Sequence, residues 1–257
     1  MLKILDDNFN LHSRKIPALT TEMQVVSLPG LSYVDSGLLC DTFNIIHITD
    51  GFALSEEDLI KTANHFNRKS SPFCIWISNE NLNEKTKDIF EKASLKLQNS
   101  EVGMVLNLSQ FESFEVEVDE NIQIADTDEA IMDFAEVISR NWDPPDKNVI
   151  SYFKMTSEYY LDKSNQISLA IYYYEGKAVS AMEIFRSDSE TVGFYSLATL
   201  TDFRSRGIGL ALMTFALNKV KREGYKNGVL QATDDGLRLY QKLGFEVITK
   251  YHEFTQQ

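Results

Sequence analysis

Two apolar runs, VGFYSLATL and LALMTFALNKV, are joined by the short polar stretch TDFRSRGIG, in which Gly207 and Gly209 stand just before the second run. The first run has the β-branched and aromatic content of a buried strand. In the second, Ile208, Leu212, Phe215, Ala216 and Val220 recur at helical spacing, with Leu210, Met213 and Leu217 widening the stripe. A strand therefore runs through a glycine turn into a helix buried on much of its circumference. Such a helix start leaves main-chain N–H groups unpaired and carries partial positive charge. A turn without Cβ atoms lets an anion approach those groups, and Arg204 and Arg206 add charge. The same glycines also suit close packing of helix on strand, and the stretch alone leaves both readings open. It is not the dinucleotide pattern G-x-G-x-x-G, nor a P-loop, since no G-K-[ST] follows.

The rest of the chain reads as mixed α and β. Asn44–Ile48 looks like a strand. Ser55 is placed to cap a helix with Glu57 and Asp58 in its first turn and Leu59, Ile60, Ala63 and Phe66 on one face. Pro72 ends that helix, Phe73–Ser78 reads as a buried strand, TKDIFEKASLKL as a helix and VGMVLNL as a strand, giving β-α-β-α-β. The acidic stretch FESFEVEVDENIQI follows as a candidate edge strand, with a domain boundary near residue 118: one α/β domain over 1–118 and a second over 119–257. Thr127 or Asp128 caps a helix running to about Trp142, and WDPPDK breaks it. A helix over about 146–161, then the strands ISLAIYYY, AVSAMEIF and VGFYSLATL, lead into the opening stretch. Its helix ends at Gly224, and VLQAT, DGLRLYQKL, Gly244 and FEVITKYHEF complete α-α-β-β-β-α-β-α-β.

Composition narrows the function. The net charge is −13 and neither half of the chain is basic, which argues against a nucleic-acid partner and favours cationic small molecules or basic peptides. Cys40 and Cys74 lie in apolar stretches without metal-ligand spacing. The start MLKILDDNFN lacks a secretion-signal core, and no apolar run is long enough to span a membrane. The expectation is a cytoplasmic protein with no membrane, nucleic-acid or metal partner.

Read together, ATLTDFRSRGIGLALM and VLQATDDGLRLYQKLGF resemble the GCN5-related N-acetyltransferase (GNAT) superfamily. Its motif [QR]-x-x-G-x-[GA] is matched by Arg204, Gly207 and Gly209. Its later L-Y-x-k-x-G-F is matched by Leu239, Tyr240, Lys242, Gly244 and Phe245. The resemblance covers about residues 122–255. Relatives often carry Pro where Thr201 stands and Gly where Ser205 stands. It implies a mixed central sheet flanked by helices and splayed between its fourth and fifth strands, with acetyl-CoA in the split. The first half looks like a smaller, degenerate GNAT-like copy without its own R-x-x-G-x-G.

The implied activity is acetyl transfer from acetyl-CoA to a primary amine by direct attack in a ternary complex. The alternative is a non-catalytic acyl-CoA-binding sensor or scaffold. The resemblance places the pantetheine arm and thioester on main-chain groups of Ala198, Thr199 and Leu200, at a strand bulge near Ala198 and Thr199. It places the diphosphate on Arg204, Ser205, Arg206, Gly207, Ile208 and Gly209, and adds Thr233 and Tyr240 to the cofactor contacts. Tyr240 is the implied general acid. Glu183, a carboxylate inside AVSAMEIF, is a candidate base, either directly or through water, and a water chain without a dedicated base is the other option. Trp142, Tyr152, Phe153 and Tyr159 either line the acceptor site or simply pack. His12, His47, His65 and His252 share no spacing and are expected in surface or core roles. The chain is expected as a monomer or homodimer.

Overall fold

A computed structural model describes residues 1–112 and 120–256. In chain order the elements are α1 (Leu2–Lys15), β1 (Gln24–Leu28), β2 (Leu31–Asp35), β3 (Ile45–Ile48), α2 (Glu56–Arg68), β4 (Cys74–Ser78), α3 (Glu84–Lys92) and β5 (Leu95–Asn107). Then come β6 (Ile122–Ile124), α4 (Asp128–Ser139), α5 (Lys147–Leu161), β7 (Ile167–Tyr174), β8 (Lys177–Arg186) and β9 (Thr191–Thr199). The chain closes with α6 (Ile208–Arg222), β10 (Asn227–Ala232), α7 (Asp234–Lys242) and β11 (Glu246–Gln256). Short 3₁₀ turns link several of these. No helix among the described residues is long and apolar enough to cross a membrane.

The chain folds as two compact units. The first comprises Met1–Met104, Gln231–Gln241 and Glu246–Gln257; the second comprises Val105–Leu230 and Lys242–Phe245. The boundary expected near residue 118, and residues 113–119 of the acidic edge strand expected there, lie outside the described residues; its last residues form β6, at the edge of the sheet.

In the first unit the strand order is β1-β2-β3-β4-β11-β5. β3 and β4 are parallel, joined by α2, and β11 runs antiparallel to β4 with Tyr251 opposite Ser78 and Thr255 opposite Cys74. The end of the chain thus completes a sheet built mostly by its beginning. α2 starts as its sequence dictates, with the Ser55 hydroxyl accepting from Asp58 N–H, and buries Leu59, Ala63 and Phe66. These meet Ile46, Ile48, Ile75, Ile77, Ile89 and Phe90 in one apolar cluster. Two expectations change. α1 and the β1–β2 hairpin add to the sequence reading, and the LKL of ASLKL is strand rather than helix. α3 stops at Lys92, Ser94 turns the chain with φ +56°, and β5 begins at Leu95. Cys40 and Cys74 are both buried.

In the second unit β6-β7-β8-β9 are antiparallel neighbours and β9 meets β10 in parallel. Thr127 caps α4 through Ala130 N–H, as expected, but α4 ends at Ser139 rather than Trp142. The Asp143–Pro144 peptide in the break is cis, and α5 follows. α6 buries Ile208, Leu212, Met213, Thr214, Ala216, Leu217 and Val220. Leu210 is exposed and Phe215 only half-buried, so the buried stripe is narrower than the apolar pattern suggested.

Candidate functional site

β8 and β9 pair regularly from Arg186–Val192 to Glu183–Tyr195, then resume at Ala181–Ala198. Three steps along β9 match two along β8, so Ser196 and Leu197 together face Met182, and Ser196 takes the left-handed φ of +55°. The bulge therefore lies at Ser196 and Leu197, next to Ala198 and Thr199, where it was expected. Past it, Leu200 N–H donates to Val179 O at 2.9 Å, which makes Val179–Leu200 a hydrogen-bonded pair. Such pairs alternate along an antiparallel ladder, so Ala181–Ala198 is bonded again and Ser180–Thr199 is not. Of the three main-chain N–H groups expected to face a ligand, those of Ala198 and Leu200 are turned into the sheet. Only Thr199 N–H turns away from β8. The buried Ser180 hydroxyl fixes this end of the strand by donating to Ala198 O at 2.6 Å.

On its other side β9 parts from β10. The parallel register holds for Thr191, Val192 and Gly193 against Asn227, Gly228 and Val229 and stops there, although β9 runs on to Thr199. The first residue past the fork is Phe194, whose ring meets Phe245 edge-on at 6.2 Å between centroids. Gly228 makes room for it: a Cβ at that position would come within 3.0 Å of the Phe194 ring. An aromatic pair thus sits where the two strands divide, and their backbone groups beyond it are left to other partners.

The turn at the end of β9 is held from within. Arg204 Nε donates to Thr199 O at 3.0 Å, and Arg206 donates to Asp202 O while lying over the Phe203 ring. Ser205 and Gly207 both have positive φ, +60° and +79°. Gly207 is the N-cap of α6, no side chain caps the helix, and no acidic residue stands in its first turn. The first N–H bonded into the helix is that of Ala211, to Gly207 O. The amides of Ile208, Gly209 and Leu210 therefore lack intrahelical partners.

The glycines can now be read. A Cβ on Gly207 would meet nothing within 4 Å, and one on Gly209 only Thr199 Oγ1 at 3.6 Å. Close packing within the protein does not require glycine at either position; Gly207 is needed for its backbone angle. What both leave is open space over the amides at a helix start, beside two arginines, which fits a phosphate-bearing ligand.

Residues 165–247 match the family model of the acetyltransferase (GNAT) domain. The chain carries a GNAT acetyltransferase domain. A search of curated proteins returns no match. Among solved structures, the chain is similar to a GCN5-related N-acetyltransferase from Kribbella flavida, with 13% identity over 97% of this chain and 95% of that one, at a TM-score of 0.68. It is also similar to a conserved protein of unknown function from Staphylococcus epidermidis (14% identity, 93% and 96% covered, TM-score 0.65). A third likeness is to a tandem GNAT protein of the clavulanic acid biosynthesis pathway (9% identity, 91% and 83% covered, TM-score 0.59). At such identities the likeness is one of fold, and it extends over almost the whole chain.

Within the GNAT domain, Glu183 sits one position from the bulge and is only 4% exposed. A buried carboxylate needs polar company. The Ser196 hydroxyl donates to its Oε1 at 3.4 Å. Two tyrosines of α5, Tyr152 and Tyr160, are buried, and burial together with the Glu183 charge holds both phenols well above their ordinary range. Of the aromatic residues considered for an acceptor site, Tyr152 and Phe153 are buried and pack edge-on at 5.4 Å, and Trp142 is exposed. The Glu183–tyrosine cluster is the feature that sequence reasoning missed. Tyr152 and Tyr160 are eight residues apart, and nothing local ties them to a strand that begins at Lys177, seventeen residues after Tyr160.

Thr233 and Tyr240 belong to the first unit. Tyr240 is a buried residue of α7, and burial, with the Glu101 charge adding, pushes its phenol up to about 12. Glu101 on β5 is itself raised to about 7, by burial and by Glu253. The histidines keep local roles: His47 beside Asp6, His65 beside Asp35, His252 beside Ser100. Among the described residues no cluster of His, Cys, Asp or Glu could hold a metal ion.

Proposed function

We propose that this protein transfers an acetyl group from acetyl-CoA to a primary amine by direct attack in a ternary complex. The observation that carries the reading is the open glycine turn, where neither Gly207 nor Gly209 is required by packing against the protein, at the end of a strand that has parted from its parallel neighbour. In this reading the diphosphate lies on the amides of residues 207–210, with Ser205, Arg204 and Arg206 around it. Thr199 N–H meets the pantetheine arm or the thioester oxygen, and polarises the carbonyl if it meets the latter. Thr233 belongs to the cofactor contacts by resemblance.

Glu183 takes the proton from the attacking amine, and Tyr240 gives one to the departing thiolate. A phenol near 12 and a thiol near its ordinary 8.5 make that last transfer uphill by about 5 kcal/mol before CoA is bound. The bound state must lower the Tyr240 pKa or deliver the proton in step with C–S cleavage. The net charge of −13 favours a cationic acceptor. The protein works in the cytoplasm as a monomer or homodimer.

We read residues 1–118 as a degenerate GNAT copy and 119–257 as the catalytic one. Two observations support this. β3-α2-β4 repeats the parallel strand–helix–strand unit of β9-α6-β10, but β3 is paired with β4 along its whole length. Its helix start is also closed to anions. Ser55 caps it, Glu56, Glu57 and Asp58 fill its first turn, and a Cβ on Gly51 in the preceding loop would sit 2.0 Å from Asn81 O.

Titration of CoA followed by calorimetry, then thiol release from acetyl-CoA across polyamines, aminoglycosides, amino acids and peptide N-termini, tests the reading. Saturable binding with amine-dependent release supports it. Binding with no release for any amine favours the sensor or scaffold, and no binding ends both.

A further inference from the structure

The second unit carries a groove at the end of its sheet away from the glycine turn. Its volume is about 690 Å³, the size of a small-molecule site, and its wall combines Ile124, Leu161 and Ile167 with charged side chains. Arg186, on that wall, is the last residue of β8 and faces Val192 near the start of β9. Thr199 and the turn lie at the other end of β9, roughly 20 Å away.

Arg186 is buried, its side chain only 9% exposed. Nε donates to Glu223 Oε2 at 2.9 Å, Nη2 to Glu223 Oε1 at 3.2 Å and Nη1 to Ser168 Oγ at 3.1 Å. The guanidinium also lies 6.0 Å from the centre of the Tyr225 ring. Ser168, Glu223 and Tyr225 all belong to the same wall. A guanidinium has five N–H groups, so two, one on each Nη, have no partner among the described residues. Leaving a buried charged donor open is unfavourable, and two neighbouring guanidinium N–H groups match an oxyanion.

The surrounding charges agree. Lys163, Arg186 and Lys219 stand on the wall against Asp126 and Glu223, an excess of one positive charge on a chain whose net charge is −13. Glu223 is already engaged by Arg186 and by Lys219, whose Nζ is 3.1 Å from Oε1. Lys163 is exposed and has no ion-pair partner among the described residues. α5 and α6 both end at this groove, and open helix ends favour cations. Here the terminal carbonyls are occupied: Glu223 and Tyr225 N–H donate to Lys219 O and Val220 O, Asp162 N–H to Glu158 O, and Asn165 Nδ2 to Tyr159 O. What remains unfilled around Arg186 is donors.

We propose that this groove is a second ligand site, separate from the glycine turn, for a small organic carboxylate. The carboxylate meets the two open N–H groups of Arg186, Lys163 adds its charge from the exposed part of the wall, and the apolar body of the ligand lies against Ile124, Leu161 and Ile167. The site does not depend on the acetyl-transfer reading, since none of these residues belongs to the turn, the bulge or α7.

Calorimetric titration of the full chain with sodium hexanoate, benzoate and 3-phenylpropionate tests the site, with 3-phenylpropanamide as the uncharged control. The expected result is saturable binding of at least one carboxylate, none of the amide, and the same carboxylate affinity with CoA in excess. Lys163→Glu, at an exposed position, should weaken the carboxylate about tenfold or more and leave the CoA titration as in the parent. Arg186→Gln together with Glu223→Gln removes the guanidinium without leaving its carboxylate unpaired, and should abolish binding. If that double variant does not fold, Lys163→Glu carries the test by itself. Failure of all three carboxylates to bind overturns the proposal. So does equal binding of the amide, an undiminished affinity in Lys163→Glu, or displacement of the carboxylate by CoA. A chain that binds the carboxylate but no CoA keeps this site and loses the acetyl-transfer reading.

Discussion

Gly209→Ala separates a glycine kept for ligand from one kept for folding, because the two effects have opposite sign. Gly209 is the second residue of α6. Alanine there lowers the entropy of the unfolded chain and favours the helix, by about 0.5–1 kcal/mol. Its Cβ would touch only Thr199 Oγ1 at 3.6 Å, an ordinary contact, so nothing in the protein opposes the gain. The unliganded variant should melt about 1–4 °C above the parent.

Coenzyme A reverses the order. At a hundred times its dissociation constant it stabilises the parent by about 2.7 kcal/mol. A methyl group over the amides displaces the diphosphate and weakens at least one charge-assisted hydrogen bond, a loss of about 1.5–3 kcal/mol, or at least tenfold in affinity. At the same CoA concentration, a ten- to hundredfold weaker site would yield only about 0.4–1.4 kcal/mol of stabilisation. Thermal unfolding with and without CoA reads both quantities in one plate. An unliganded variant less stable than the parent, or an undiminished CoA shift, would refute the reasoning. Gly207→Ala is the weaker probe, since a φ of +79° costs alanine about 1–2 kcal/mol whatever binds there.

Tyr240→Phe should slow thiol release by about 10²–10⁴ while leaving the CoA titration unchanged; an equal rate removes the phenol from the mechanism. Glu101 has a folded-state pKa raised to about 7, so its contribution to stability is fully present below the unfolded value near 4.3 and is lost as pH rises through 7. Glu101→Gln should accordingly raise the melting temperature more at pH 8 than at pH 5, and equal shifts at the two pH values would contradict the assignment. At Asp35 burial alone would raise the carboxyl, but hydrogen bonds from Lys69, His65 and the Gly37 N–H hold it below its ordinary value. That stability is present above the unfolded pKa near 3.9 and lost as pH falls through the folded one, so Asp35→Asn should flatten the acid limb of a pH–melting curve below about pH 4. Phe245→Ala should cost about 3–5 kcal/mol and shift the denaturant midpoint, because the ring fills the fork against Phe194.

What the sequence disclosed and what it hid divide along one physical line. Caps are local: Ser55 and Thr127 each serve an N–H three residues on, and both were readable from a few adjacent residues. The glycine turn was readable for the same reason, as was the approximate path from β7 to α6. The β1–β2 hairpin was within reach too, since the Pro29–Gly30 pair between QVVSL and LSYVD is a turn signal. β5 was not. ASLKL carries an amphipathic helical pattern, and what makes it strand is a place in the sheet beside β11, a partner about 150 residues away. The bulge shows the same limit at finer scale. Only the pairing of Glu183 with Tyr195 and of Ala181 with Ala198 reveals which amide on β9 turns outward, so a motif that named three donors gives way to one, Thr199. Glu183 marked itself as a charge in an apolar strand, but its meaning depends on two phenols from another element. A carboxylate in a core is either expensive or employed, and a place on β8 one position from the bulge is what favours employment here.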